Sequence, residues 1–352
     1  MQACSQCGTQ LAPGLLSCPT CQRFVHAEQL KALAQRAESY AQAQQFTDAL
    51  TTWRETLELL PPGSQQYQAI LTKIETLSQQ VESGGSTAAT APHSAAETPA
   101  QSGRGKVSAG LGVVGLILLK FKFLAIFLLT KAKLLLVGLT KAKTLFSMLA
   151  FFGVYWTLWG WRFALGFVIT IYIHEMGHVA ALQRLGIKAT APMFIPGFGA
   201  LVRLQQYPAS PCEDARIGLA GPLWGMGAAI AAYAVFWMTG WAIFAAITHV
   251  TAWVNLFNLL PLWSLDGARG FRALSRSQRW LAVAVLAAAW AVSKEGLLVL
   301  LVIMASIRAF ASDAAQTPDR RALLQYACLV IILAGLCMVQ VPTAADVVAI
   351  AH

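Results

Sequence analysis

Residues 163–185 (FALGFVITIYIHEMGHVAALQRL) form an apolar stretch long enough to cross a bilayer, which requires about 20 residues. Inside this stretch lie His174, Glu175 and His178. Two imidazoles and a carboxylate are costly in hydrocarbon unless they serve a site or face a wet cavity. The segment therefore predicts a membrane-spanning helix that carries a functional site. The alternative is an incidental polar cluster that faces the interior of a helix bundle.

The spacing of these three side chains suits a metal site on a helix. His174 and His178 would lie roughly 40° apart around the axis and about 6 Å apart along it, so both imidazoles can reach one ion. Glu175 would lie about 100° round the helix, beside the metal, where it can take a proton from bound water. The pattern is typical of His-Glu-x-x-His zinc hydrolases. A catalytic zinc site of this kind needs a third protein ligand.

Asp266 is the candidate for that third ligand. The segment 258–269 (NLLPLWSLDGAR) follows another apolar run, residues 241–260, and Asp266 is the only carboxylate between Asp214 and Glu295. Two histidines and one carboxylate would leave the fourth tetrahedral position of zinc open for water. The alternative is that Asp266 and Gly267 merely form a turn after a helix, because Asp-Gly is a common turn pair.

These residues resemble the motifs of the site-2 protease family of intramembrane metalloproteases. The His-Glu-Met-Gly-His sequence at 174–178 matches the first motif, and Asn-Leu-Leu-Pro at 258–261 with Leu-Asp-Gly at 265–267 matches the second. The resemblance covers roughly residues 145–275. It implies a zinc metalloendopeptidase that hydrolyses peptide bonds in transmembrane segments. The implied site residues are the zinc ligands His174, His178 and Asp266, the base Glu175, and Asn258, which would position or polarise the substrate.

The sequence departs from the family pattern at three positions. Ala268 stands where a second glycine is usual, Trp263 replaces a usual proline, and Gly225 stands where an asparagine often follows the Gly-Pro pair at 221–222. These departures concern contacts with the substrate more than metal binding.

The resemblance further implies a substrate that is a single-span membrane protein, and a location in a bacterial inner membrane. The alternative function is a membrane-anchored interaction scaffold with a structural or degenerate zinc site. An intact Glu175 argues against the scaffold, because a purely structural site does not need that base. A nucleic-acid-binding membrane protein is a third possibility.

The composition also indicates a membrane protein, with 57% hydrophobic residues, 12% charged residues and a mean hydropathy of +0.56. The excess of 26 Lys and Arg over 16 Asp and Glu is better explained by loops that face a lipid surface than by nucleic-acid binding. The first 25 residues lack a continuous apolar core, so no signal peptide is expected.

The N-terminus holds a second metal candidate. Two Cys-x-x-Cys pairs, separated by ten residues, can bring four thiolates round one structural zinc in a zinc ribbon: Cys4, Cys7, Cys18 and Cys21. The alternative, a pair of disulfides, is disfavoured in a reducing cytosol. Arg23 is the only basic residue in 1–26, so we expect a protein partner or a regulatory cap rather than nucleic acid.

Residues 28–81 are polar and helical in character. They resemble one tetratricopeptide repeat, on the positions of Ala37, Tyr40, Phe46, Ala49, Trp53 and Pro61. A third helix near 65–81 would cover the exposed apolar face. A single repeat cannot form a solenoid, so we expect a small helical hairpin that packs on the ribbon or on the membrane domain and presents a groove to a partner. A plain helical spacer is the alternative.

Residues 83–105 are rich in Ser, Thr, Ala, Pro and Gly, which predicts a flexible linker and a cytoplasmic head that is tethered rather than rigidly attached. Residues 106–143 alternate apolar runs with pairs of lysines. They fit either a basic helix at the membrane surface or transmembrane helices with snorkelling lysines.

The predicted fold class is mainly α: a polytopic transmembrane bundle with a short re-entrant β-hairpin at 191–204, plus the zinc ribbon and the helical hairpin. Four spans would bring Asp266 to the same cytoplasmic side as the histidines, and the arginines that follow Asp266 agree with the positive-inside rule. His249 is expected to have a hydrogen-bonded structural role. The predicted divisions are 1–27, ribbon; 28–82, helical segment; 83–105, linker; 106–143, basic membrane-associated segment; 144–275, protease core; and 276–352, additional transmembrane helices.

Overall fold

The structure is a computed structural model that describes residues 2–87, 142–189, 192–195, 199–201 and 206–342. The described part is mainly helical, as the sequence predicts. Most of the predicted linker and nearly all of the basic segment 106–143 lie outside the described residues. The helices are α1 (Ala27–Gln42), α2 (Phe46–Glu58), α3 (Gln65–Thr87), α4 (Ala142–Trp159), α5 (Trp161–Arg184), α6 (Pro211–Thr239), α7 (Ala242–Asn258), α8 (Asp266–Arg272), α9 (Arg276–Ser293), α10 (Gly296–Phe310) and α11 (Arg320–Cys337).

Three of the described helices, α5, α6 and α11, are long and apolar enough to cross a membrane, and α4, α7 and α10 are shorter apolar helices. Of the three helices predicted after residue 276, only α11 therefore meets both the length and the hydropathy required. Large apolar side chains are exposed on these helices, including Phe146, Trp237 and Ile331. Such a surface is unusual for a soluble monomer and suits contact with lipid.

The helices that carry the predicted site run antiparallel. α4 and α5 join at Gly160, and α6 and α7 join at Gly240, and both glycines have positive φ angles of 82° and 71°. His178 in the last turns of α5 contacts Ile217 near the start of α6. The Gly160 and Gly240 junctions therefore lie at one end of the bundle, where exposed tryptophans form an aromatic belt: Trp156, Trp159, Trp161, Trp237 and Trp241.

A short antiparallel hairpin lies within the predicted range 191–204. β3 (Met193–Ile195) pairs with β4 (Gly199–Leu201). The hairpin packs on α4, because the Ser147 hydroxyl accepts a hydrogen bond from the Phe194 amide and the Thr144 hydroxyl donates to the Pro192 carbonyl. The Phe194 ring also meets Phe151 at a centroid distance of 5.9 Å. These contacts satisfy part of the irregular backbone around the hairpin.

The N-terminal helices α1, α2 and α3 form a small bundle, which we call the head, around the buried side chains of Leu50, Trp53 and Ile74. A deeply buried polar contact joins the head to the membrane helices. Arg54 of α2 donates through Nη2 to both Glu213 carboxylate oxygens of α6, at 2.8 and 2.9 Å, and through Nε to the Leu185 carbonyl at 3.1 Å. Arg54 and Glu213 are only 3% and 2% exposed. The Ser78 hydroxyl of α3 donates to the same carboxylate.

Further contacts hold the head at the end of α5. Lys188 pairs with Glu55 at 3.0 Å, and Arg184 donates to the Val81 carbonyl at 2.8 Å. The head is therefore docked on the membrane helices, one of the two expected packing sites, which corrects the expectation of a head that is tethered rather than rigidly attached. The sequence did not reveal the main anchor, because it joins two residues far apart in the chain, Arg54 and Glu213, neither of which belongs to a recognisable motif.

We predict that Arg54→Ala strongly destabilises the protein, because it leaves Glu213 buried without its cation. Loss of one member of a buried ion pair costs about 3–5 kcal/mol. The measurement is the unfolding of the full chain in detergent, followed together with the protease sensitivity of the head. Arg36→Ala, at an exposed position on α1, is the matched control and should change stability by less than about 0.5 kcal/mol. Equal stability of the two variants would contradict the role of the pair.

Candidate metal centre and groove

The structure brings His174, His178 and Asp266 together. The two histidine Nε2 atoms are 3.2 Å apart, and each lies 3.2–3.3 Å from a different oxygen of the Asp266 carboxylate. All three side chains are largely buried. Asp266 is the first residue of helix α8, so the alternative of an Asp-Gly turn after a helix is not what the structure shows.

These distances suit a zinc ion. Nitrogen and oxygen ligands at about 2.0–2.2 Å from zinc stand roughly 3.3–3.6 Å apart in a tetrahedron. The three ligand atoms have this spacing within a few tenths of an ångström, and three protein ligands leave one position open, as a catalytic site requires. His174, His178 and Asp266 thus fit a zinc ion by number, chemistry and spacing.

A buried amide orients the first histidine. Asn255 of α7, 1% exposed, accepts through Oδ1 from His174 Nδ1 at 2.8 Å. The Asn255 amide nitrogen donates to the Thr251 carbonyl at 2.7 Å, which assigns its oxygen to the side of His174. His174 therefore carries its proton on Nδ1 and turns the Nε2 lone pair towards the metal position, the arrangement that supporting residues commonly impose on zinc-binding histidines.

A backbone carbonyl orients the second histidine. His178 Nδ1 donates to the Ile217 carbonyl of α6 at 2.8 Å. This bond turns Nε2 of His178 towards His174 and Asp266 in the same way. Both imidazoles are thus held in the tautomer that a zinc ligand needs.

Two glycines of α6 make room for this arrangement. A Cβ at Gly221 would lie 2.1 Å from His178 Nε2, and a Cβ at Gly225 would lie 2.0 Å from Asn255 Oδ1. Gly225 is the position where the family pattern often has an asparagine. In this chain the space at Gly225 is filled by Asn255 from the neighbouring helix. Sequence reasoning missed Asn255, because the glycine at 225 shows only that the usual asparagine is absent and does not identify the residue that fills its space.

Ion pairs hold the helix that supplies Asp266. Asp214, near the start of α6, accepts from Arg269 Nε at 2.7 Å and from Arg272 Nη1 at 3.0 Å. Both arginines belong to α8, the short helix that begins at Asp266. The pairs fix α8 to the same helix that supports His178, so the carboxylate is held beside the imidazoles.

A groove of about 630 Å³ opens beside the metal position between α4, α5 and α7. His174, Glu175 and Asn258 line its polar part, and aromatic side chains line the rest: Phe151, Tyr155, Trp159, Phe167, Trp253 and Phe257. The volume lies within the range of ligand-binding pockets. Glu175 and Asn258 thus both face the groove, as the predicted roles of a base and of a substrate contact require. These two roles stay predictions.

His249 of α7 also lines this groove. Its Nδ1 atom is buried and has no hydrogen-bond partner among the described residues. The hydrogen-bonded structural role expected for His249 is therefore not found within the described part of the chain.

The four N-terminal cysteines lie together in two similar turns. The Cys7 and Cys18 sulfurs are 3.5 Å apart and the Cys4 and Cys21 sulfurs are 3.6 Å apart. Bonded sulfurs would be about 2.05 Å apart, whereas thiolates at about 2.3 Å from a tetrahedral zinc stand roughly 3.8 Å apart. The spacing favours metal binding over disulfides. A hydrogen bond with the Thr9 hydroxyl lowers the pKa of the Cys7 thiol to about 6, towards the thiolate form that binds metal.

Comparisons with known proteins agree with this geometry. Residues 162–249, which include His174, Glu175 and His178, match the model of Peptidase family M50. The zinc metalloprotease MJ0392 of Methanocaldococcus jannaschii is 27% identical over 121 residues, which are 33% of this chain and 34% of that protein. The chain thus matches about a third of the length of this relative. No solved structure matches the chain.

The matched family is a peptidase family, and the relative is named as a zinc metalloprotease. The family match covers the part of the chain that carries His174, Glu175 and His178, and it ends before Asp266. The assignment of Asp266 rests on the sequence motif and on the geometry. The apolar helices α5, α6 and α11 agree with a membrane protein.

We predict that Asn255→Ala weakens zinc binding by about 10–100-fold, because loss of a supporting partner of a metal ligand typically has this effect. Gly225→Ala should weaken binding in the same direction, since its new methyl group would displace the Asn255 amide. Zinc affinity is measured by competition with a chelator in the purified chain. Asn258→Ala is the matched control and should retain the native affinity. If Asn255→Ala also retained it, the orienting role of Asn255 would be wrong.

Proposed function

We propose that the chain is a zinc-dependent intramembrane endopeptidase of the site-2 protease type. One observation carries the proposal: three buried metal-ligand atoms at zinc spacing lie beside Glu175 and open onto a groove between apolar helices. A structural zinc site would be closed, with four protein ligands. The similarity to Peptidase family M50 supports the same class.

Each site residue has a defined task in hydrolysis. A zinc ion held by His174, His178 and Asp266 would lower the pKa of a bound water and polarise the scissile carbonyl. Glu175 follows His174 in the chain and lines the same groove, so it can accept the proton of the attacking water and return it to the leaving amine. Asn258 lines the groove at this point and can donate through its amide to the substrate.

The substrate is a transmembrane segment of another protein, most simply one with a single span. The groove walls are aromatic and apolar, which suits a hydrophobic segment better than a polar peptide. The hairpin of β3 and β4 presents an extended backbone beside α4, and an unwound substrate can add to such a strand edge. A peptide bond becomes open to attack only when its helix is unwound.

We place the protein in a bacterial inner membrane with its head in the cytoplasm. Arg184, Arg269 and Arg272 lie at the end of the bundle that carries the head, and the tryptophans of the aromatic belt lie at the other. This distribution follows the positive-inside rule. The metal ligands are then near the cytoplasmic side. The head and the cysteine cluster serve as a docking unit for a protein partner.

We predict that Glu175→Gln retains zinc but lowers the rate of proteolysis by about 10²–10⁴-fold, because it removes the proton acceptor and leaves the ligands in place. The measurement compares the membrane proteomes of cells that carry the native chain or the variant. Fragments of single-span membrane proteins should accumulate only in the cells that carry Glu175→Gln. Glu295→Gln, a carboxylate at the start of α10, is the matched control. Identical proteomes for all three chains under several stresses would favour the interaction scaffold.

We also predict two zinc ions per chain, one at each cluster. His178→Ala should lose the ion at the membrane site, and Cys7→Ser should lose the ion at the N-terminal site, because each variant leaves an incomplete ligand set. Metal content is measured by elemental analysis of purified protein. Cys328→Ser, at an exposed cysteine on α11, should retain both ions. If the Cys7→Ser variant still contained two zinc ions per chain, the proposed structural zinc site would be wrong.

A further inference from the structure

A second cavity, of about 410 Å³, lies between α3, α5, α6 and α11. We call it the basic cleft. Arg184, Arg216, Arg321, Gln325 and Glu82 line its charged and polar end. Ala180, Leu219, Leu223 and Trp224 are among its apolar walls. The cleft lies outside the groove beside Glu175, and the proposed mechanism does not use it.

The polar end of the cleft has unsatisfied hydrogen-bonding groups. Arg216 donates through Nε to Glu82 and through Nη2 to Asp319, but its buried Nη1 has no partner among the described residues. The Gln325 Oε1 atom is also buried and has no partner in that part of the chain. Buried polar groups in proteins are nearly always paired. The Arg216 side chain lines the cleft, so an acceptor oxygen of a ligand bound there would be the partner that its buried N–H lacks.

The charge at this end favours an anion. This end has three positive charges, from the guanidinium groups of Arg184, Arg216 and Arg321. It has two negative charges, from the carboxylates of Glu82 and Asp319. The Arg321 side chain is 45% exposed and lies 3.6 Å from Glu82, which Arg216 already binds more closely at 3.1 Å. The rim is therefore net positive, and guanidinium groups bind phosphate oxygens well.

The remainder of the cleft is suited to an acyl chain. Its apolar wall follows α5 and α6, two helices long and apolar enough to cross the membrane. Leu223 is 41% exposed on this wall, so the cleft opens towards lipid. Basic pockets between transmembrane helices on the cytoplasmic side are known to bind lipid head groups.

We propose that the basic cleft is a binding site for an anionic phospholipid, with the phosphate at Arg216 and Arg321 and one acyl chain along Leu219 and Leu223. Charge complementarity and the unpaired Arg216 Nη1 identify the head group, and the apolar wall identifies a lipid rather than a soluble anion. The lipid would bridge the head, through α3, and the zinc-binding helix α5. Gly177, between the two zinc-binding histidines, lines the inner end of the cleft.

The test counts lipids on the full-length chain in mixed micelles by native mass spectrometry. The two lipid probes are phosphatidylglycerol and phosphatidylcholine with the same acyl chains. We expect the native chain to retain one phosphatidylglycerol and no phosphatidylcholine. Arg321→Gln should lower the phosphatidylglycerol affinity about fivefold, since one arginine near an anionic lipid is worth about that factor. Arg320→Gln removes the same charge from the adjacent exposed residue outside the cleft and should bind as the native chain does.

Three results would overturn the proposal. The first is equal phosphatidylglycerol affinity in the native chain, Arg320→Gln and Arg321→Gln. The second is equal retention of phosphatidylcholine. The third is displacement of phosphatidylglycerol by inorganic phosphate at similar concentration, which would show a site for small anions. Lipid counting needs neither proteolysis nor zinc, so its outcome is independent of the proposed function.

Discussion

The cost of burying polar groups among apolar helices determines how the centre of this protein is built. A second group holds each ligand of the predicted zinc site in place. Asn255 and the Ile217 carbonyl form hydrogen bonds with His174 and His178. Asp266 belongs to α8, which an ion pair with Asp214 holds. The support extends further, because Asn255 donates to Thr251, whose hydroxyl in turn meets that of Thr170. A chain of satisfied groups thus crosses from α7 back to α5. It gives the metal ligands fixed directions before any metal binds.

One turn of α6 connects the head to the metal site. Glu213 binds Arg54 of the head, and the next residue, Asp214, binds Arg269 and Arg272 of the helix that supplies Asp266. A shift of this turn would move both contacts together, because both carboxylates belong to one rigid helical segment. The head and the Asp266 ligand therefore share a mechanical support.

The sequence predicted that His174, His178 and Asp266 lie together, as the structure has them, because short motifs mark these residues. Two histidines four residues apart and an isolated carboxylate within apolar sequence leave few alternatives. The helices after residue 276 and the hairpin near 193–201 were also predictable from apolar runs and from breaks at Pro and Gly. Asn255 and Arg54 were not predictable, because each acts on a residue far away in sequence. The buried state of such residues depends on packing, which local patterns do not encode.

The buried pair of Arg54 and Glu213 also bears on how the chain can be divided. A fragment that begins at α4 would contain the three proposed ligands of the membrane zinc site, yet it would leave Glu213 facing a surface that the head now covers. The amide of Ala209 would be the main remaining partner of that carboxylate. The membrane helices and the head thus share a buried contact that neither part would satisfy alone. Domain exchange between related proteins would have to transfer both sides of this contact together.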